Sequence, residues 1–139
     1  MESIGNEMSE KSILCVDDEA IILISLKSTL QKHFGRRFSY ETASNGAEAL
    51  LTVDELVKEG VQVLVIISDW QMPGMRGDEL LVTIKNRYPN IASIMITGHA
   101  DESAKKRVLE EAGTIRIFDK PWNTKDLIET IEGLLPQNV

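Results

Sequence analysis

The chain has 139 residues, a length suited to one domain that buries roughly 68–70% of its unfolded surface without disulfides or structural metals. Its 22 acidic against 15 basic residues leave a net charge of −7. That balance argues against direct contact with nucleic acid or an anionic membrane surface, since both demand a basic footprint. No apolar run approaches the ~20 residues of a membrane span, and the polar residues 1–10 lack the apolar stretch of a secretory signal. The reading is a soluble, cytoplasmic protein with a disordered N-terminal tail over 1–10.

Apolar bursts alternate with helical patterns from residue 11 onward, the signature of stacked βα units. The first strand is expected near 12–17 and carries the lone Cys15, which reads as a buried, inert thiol. A helix over 19–34 follows, striped by Leu23, Leu26, Leu30 and Phe34. The extra Ile21, Ile22 and Ile24 widen that stripe beyond one face. A strand near 38–43 contains Tyr40 and Glu41, and its polarity places it at a sheet edge. Asn45-Gly46-Ala47-Glu48 reads as an N-cap with a returning glutamate, opening a helix to about residue 58.

The third strand, near 63–68, is almost continuously apolar, as a central parallel strand covered on both faces should be. A helix over 78–88 then begins with Asp78 and Glu79 at the positive end of its dipole. A strand near 92–97, a helix over 100–112 ending at Gly113, and a short strand at 115–118 come next. Asn123-Thr124-Lys125-Asp126 caps a last helix striped by Leu127, Ile128, Ile131, Leu134 and Leu135, leaving 136–139 as a C-terminal tail. The expected fold is α/β, a three-layer sandwich of five strands and five helices.

The chemistry-bearing residues fall at strand ends, where open α/β sheets keep their sites. Val63 to Ser68 runs into Asp69, Ile13 to Val16 into Asp17-Asp18, and Ile115 to Phe118 through Asp119 into Lys120-Pro121. If these strands are parallel neighbours, Asp17, Asp18 and Asp69 crowd together and resist ionisation until a cation arrives. A hard divalent ion such as Mg²⁺ suits such a set, because it takes oxygen ligands and keeps positions for water and phosphate oxygens. One carboxylate can then attack phosphorus, the aspartyl-phosphate route. Thr97 offers a hydroxyl, and Lys120 a point charge, to the oxygens of the transferred group.

Four motifs in this order resemble the receiver domain of two-component response regulators over about residues 11–135. They are Leu14-Cys15-Val16-Asp17-Asp18-Glu19, Ser68-Asp69-Trp70-Gln71-Met72-Pro73-Gly74-Met75-Arg76-Gly77, Ile96-Thr97-Gly98-His99-Ala100 and Phe118-Asp119-Lys120-Pro121-Trp122. The resemblance implies a flavodoxin-like (βα)5 fold with sheet order 2-1-3-4-5. It implies that Asp69 accepts phosphate from a histidine kinase or histidine phosphotransfer protein. Mg²⁺ is then held by Asp18 directly and by Asp17 through water, with Asp69 and the main-chain carbonyl of Gln71 completing the protein's share of the set. It pairs Thr97 with Phe118 as a switch that reshapes the face made by the fourth helix, fifth strand and fifth helix. That face would serve a downstream effector domain or protein, or a phosphorylation-dependent homodimer. His99 stands where the family tunes water access to the phosphate.

The chain departs from the family pattern at Arg76, where an acidic residue is usual, and at Thr114-Ile115-Arg116, where receivers driving winged-helix outputs often carry an acidic pair. Two rival readings are a Mg²⁺-dependent phosphatase of the haloacid-dehalogenase type and a phosphate-independent pseudo-receiver. The first needs a second aspartate two residues after the nucleophile, where Gln71 stands. The intact acidic set argues against the second. The chain is therefore read as no enzyme in the metabolic sense, catalysing only its own phosphorylation and dephosphorylation.

Overall fold

The computed structural model describes residues 10–136 as five strands alternating with five helices. These are β1 (Lys11–Val16), α1 (Ala20–Phe34), β2 (Ser39–Ala43), α2 (Gly46–Lys58), β3 (Gln62–Ser68), α3 (Gly77–Arg87), β4 (Ala92–Thr97), α4 (Glu102–Glu111), β5 (Arg116–Asp119) and α5 (Thr124–Glu132). The tails expected over 1–10 and 136–139 lie, Glu10 and Pro136 apart, outside the described residues. All five strands are parallel in the order β2-β1-β3-β4-β5, with the polar β2 at an edge. The order reverses at β1, so the crevice beyond the C-terminal ends of β1 and β3 is the topological switch point of the sheet.

Two cores sandwich the sheet. On one face Leu26, Leu30 and Phe34 of α1 and Leu127, Ile128 and Ile131 of α5 pack on Ile13, Cys15, Ile67, Ile94, Ile96 and Phe118. On the other, α2, α3 and α4 bring Val53, Leu80, Ile84 and Val108 onto Leu14, Ile66 and Met95. Alternate residues of β1, of β4 and of β3 from Val65 onward therefore serve opposite cores, which is why these strands lack the apolar–polar rhythm of a half-exposed sheet.

Local signals account for the helix starts. Asn45 accepts the Glu48 N–H at 2.8 Å, and Glu48 reaches back to the N–H and hydroxyl of Ser44, at 2.6 and 2.9 Å, one residue beyond the cap itself. Asn123 accepts the Asp126 N–H at 3.0 Å. The fourth helix starts two residues later than its pattern predicts, because Asp101 is its cap, accepting the Ala104 N–H at 2.7 Å. Beyond α4, Gly113 turns the chain at φ 61°, a left-handed conformation that suits glycine. The last helix ends at Glu132, short of its apolar stripe, and a 3-10 turn at Gly35–Arg37 follows α1.

Cys15 is fully buried, and burial pushes its thiol up to about 12 against a small opposing pull from Lys27. A thiol-specific reagent should therefore leave the native chain unlabelled at pH 8 and add once per chain in denaturant. Rapid labelling of native protein would contradict this packing. No helix among the described residues is long and apolar enough to cross a membrane.

Candidate functional site

The strand ends assemble as the sequence predicts. Asp17 and Asp18 follow β1, Asp69 follows β3, Thr97 ends β4 and Lys120 follows β5. Asp18, Asp69, Thr97 and Lys120, with Glu19, Gln71, Gly98 and His99, line an open cleft of about 360 Å³. That is room for a phosphoryl group and several waters, each occupying about 30 Å³. Carboxylate oxygens of Asp17, Asp18 and Asp69 come within 4.8 Å of one another.

The three aspartates are not equivalent. Asp17 is buried, with one oxygen accepting the Glu19 N–H at 2.9 Å and the other accepting from Lys120 Nζ at 2.8 Å. Asp18 is exposed and faces the cleft. Asp69 is buried, Oδ1 accepting the Trp70 N–H at 2.8 Å while Oδ2 lies 3.4 Å from Lys120 Nζ. Asp17 thus anchors the lysine, Asp18 is free to take a ligand, and Asp69 presents one oxygen toward the ammonium and the cleft.

Burial holds the Asp69 carboxyl above its usual range. The charge of Asp17 adds to that, and Lys120 and the Trp70 N–H offset only part of it. Burial pulls Lys120 down, but its hydrogen bond to Asp17 and the charges of Asp69 and Asp17 outweigh this, leaving its ammonium above the ordinary value. A net acidic pocket with one half-buried cation is a place where an added divalent cation relieves repulsion. The all-oxygen donor set fits Mg²⁺ rather than a softer metal.

Thr97 is buried at the tip of β4, its hydroxyl accepting the His99 N–H at 3.2 Å. Neither Thr97 nor His99 caps α4, since Asp101 does, which leaves both to the cleft. The Lys120–Pro121 bond is cis. A methyl group on Gly98 would meet Lys120 Cβ at 3.8 Å, an ordinary contact, so packing alone does not demand glycine there.

A doubly wound parallel sheet with an acidic pocket, a lysine and a hydroxyl at its switch point defines a class of phosphoryl-handling signalling domains. The sequence matches the response regulator receiver domain family over residues 13–132, and the chain belongs to that family. It is 34% identical over 126 residues to the hydrogenase transcriptional regulatory protein HoxA of Cupriavidus necator, covering 89% of this chain and 24% of that protein. It is 33% identical over 125 residues to the transcriptional regulatory protein FixJ of Rhizobium meliloti, covering 90% and 57%. It thus spans about a quarter to somewhat over half of these relatives. Among solved structures, a CheY-like response regulator receiver domain protein from Methanospirillum hungatei superposes with a TM-score of 0.78 at 34% identity, covering 91% of this chain and 94% of that one. The signal receiver domain of an HD domain-containing protein from Pseudomonas fluorescens gives a TM-score of 0.78 at 26% identity, covering 90% and 94%. Membership in this family does not favour the phosphatase or pseudo-receiver readings.

One expected pairing is corrected by the register. Ile96 pairs with Phe118 and Thr97 with Asp119, and neighbours in register share a face. Phe118 therefore packs with Ile96 in the α1/α5 core, while Thr97 shares the opposite face with Met95 and Ile117. Phe118 is 5% exposed, and the Arg116 guanidinium stacks 4.6 Å from its ring centroid. Its ring cannot follow the Thr97 hydroxyl on the α4 side, and the β5 residue on that side is the aliphatic Ile117.

Sequence reasoning also missed Asp78. Taken as a dipole charge, it is 3% exposed, accepts from Trp70 Nε1 and Arg107 Nη1 at 3.0 Å each, and lies 3.6 Å from Arg76 Nε. Arg76 also sits 5.9 Å above the Trp70 ring, which gives that departure from the family pattern a structural setting. The available signal was Trp70, since a half-buried indole needs an acceptor and Asp78 is the acid nearest in sequence beyond Asp69.

Proposed function

We propose that Asp69 is the phosphoacceptor of a two-component or phosphorelay receiver, taking its phosphoryl group from a phosphohistidine on a histidine kinase or histidine phosphotransfer protein. The observation that carries this is the Asp69 carboxylate itself, pinned through Oδ1 and open through Oδ2 toward Lys120 and the cleft. A carboxylate oxygen attacks phosphorus, the P–N bond of the donor breaks, and the imidazole leaves with the electron pair. Lys120 and the Thr97 hydroxyl stabilise the phosphoryl oxygens as charge shifts onto them. Mg²⁺, when bound by Asp18, Asp69, the Gln71 carbonyl and, through water, Asp17, supplies charge neutralisation. His99, at the cleft mouth, governs the approach of the hydrolytic water.

The direct test is intact mass after incubation with acetyl phosphate, with Mg²⁺ or with chelator. One Mg²⁺-dependent phosphate is expected, and no adduct on a folded, Mg²⁺-binding chain would remove the acceptor role. Lys120→Ala should lower the labelling rate by on the order of 10²-fold, as loss of one preorganised stabilising group does, while Mg²⁺ binding persists. Labelling at the wild-type rate would take Lys120 out of the scheme.

The donor protein docks on α1. Ile21 and Ile24 are 75% and 68% exposed, and Ile22, Ser25 and Thr29 line a groove with Pro121, Trp122 and Thr124 beside Lys120. Ile24→Glu should leave acetyl-phosphate labelling unchanged and slow transfer from the phosphohistidine protein; equal slowing of both would place its effect elsewhere. The phosphorylated face formed by α4, β5 and α5 then engages an effector domain or protein in the cytoplasm, with a second phosphorylated copy as the alternative taker, and no metabolite is turned over.

A further inference from the structure

An unbroken run of hydrogen bonds leads from Asp69 to α4. Asp69 Oδ1 accepts the Trp70 N–H at 2.8 Å, Trp70 Nε1 donates to Asp78 Oδ1 at 3.0 Å, and Asp78 Oδ2 accepts from Arg107 Nη1 at 3.0 Å. Arg107 also reaches Glu111 on its own helix, Nε to Oε1 at 3.5 Å. Among the described residues, Asp78–Arg107 is the ion pair that joins α3 to α4. On β5, the residue that shares a face with Thr97 is Ile117, whose side chain has no polar atom to change partners.

The Trp70 main chain and indole belong to one residue with two side-chain torsions, so a shift at its N–H moves the ring's donor as well. The carboxylate that takes that donor is 3% exposed, and a buried charge keeps its place only while its partners hold theirs. We propose that Asp78 is a positioning residue for the acceptor turn, and that its ion pair with Arg107 carries the state of Asp69 to α4. The inference rests on the reading of Asp69 as acceptor.

The test is by NMR on the isotopically labelled chain, with beryllofluoride and Mg²⁺ as a stable stand-in for the phosphoryl group. Occupancy of Asp69 should shift the amides of Glu102–Glu111 in the wild type. In Arg107→Gln those α4 shifts should fall by about fivefold or more, the lower end of the usual allosteric range, while shifts at Trp70 and Gly98 keep their full size. Arg107→Lys, which keeps the charge, should restore most of the α4 response, and a merely structural role would not show this rescue. Full-size α4 shifts in Arg107→Gln would overturn the proposal. A second comparison needs no phosphoryl analogue: the α4 shifts produced by Asp69→Asn, measured with and without Arg107→Gln. Beryllofluoride without effect at Trp70 or Gly98 would count against the acceptor reading, and this second comparison then decides the link by itself.

Discussion

Asp69→Asn should lose the Mg²⁺-dependent phosphate completely and at the same time make the resting protein more stable at neutral pH. The first effect follows because an amide is not a nucleophile toward phosphorus at this pH. The second follows from linkage. Burial and the Asp17 charge hold the Asp69 carboxyl above its ordinary value of 3.8 in the folded state. Between that value and the raised one the folded state binds more protons than the unfolded state, so stability falls as pH rises through the window and stays lowered above it. The neutral asparagine escapes this cost. Urea midpoints should therefore favour Asp69→Asn at pH 7, with the advantage shrinking toward about pH 4 as the wild-type carboxyl protonates. Added Mg²⁺ should reverse the order, since binding to the native state alone stabilises by mass action and the variant lacks one donor. A variant less stable than wild type at pH 7 without metal would contradict the repulsion read from the geometry. Persistent labelling at the primary site would displace Asp69 from its role.

Most of this site was legible because its parts sit at strand ends and are punctuated by residue types with few other uses there. Asp17-Asp18, Asp69, Thr97 and Lys120 each follow an apolar run, and a parallel sheet brings successive strand ends to one rim without further information. The β2 edge was legible from Tyr40 and Glu41. Two features were not. In β5, Arg116-Ile117-Phe118-Asp119 offers apolar residues on both faces, so alternation does not say which points toward Thr97, and a one-residue slip exchanges the faces. Asp78 occupies a position where an acid is already explained by the helix dipole. Its real partners, Trp70 at eight residues and Arg107 at twenty-nine, become visible only when α3 and α4 are laid side by side. Sequence patterns report what a residue does for its own helix or strand more readily than what it does for the neighbouring one.

The α3 packing that creates this link predicts a large effect of Gly77→Ala. Gly77 is the first residue of α3, and its N–H donates to the Trp70 carbonyl at 2.7 Å. A Cβ at Gly77 would overlap the Asp69 carbonyl oxygen and stand 2.8 Å from Trp70 Cα and 2.9 Å from the Asp69 carbonyl carbon. All three are main-chain atoms of the acceptor turn, so no rotamer change relieves the clash, and the helix start must lift off the strand end. By helix propensity alone the exchange favours alanine by up to ~1 kcal/mol, so the sign of the result separates the two effects. Overpacking typically costs about 1–3 kcal/mol and occasionally more. With backbone against backbone, the expected loss is at or above the top of that range. Gly133→Ala is the control, because its Cβ would meet the nearest atom, the Thr130 carbonyl oxygen, at 3.4 Å, and it should stay within about 0.5 kcal/mol of wild type. Urea unfolding measures both, and phosphodonor labelling of whatever Gly77→Ala protein remains folded should be slowed, because Asp69 and the Trp70 N–H that fixes its Oδ1 move with the turn. A Gly77→Ala chain as stable as wild type and labelled at the same rate would mean that α3 does not rest on the acceptor strand as closely as described. The positioning of Asp69 would then have to come from β3 alone.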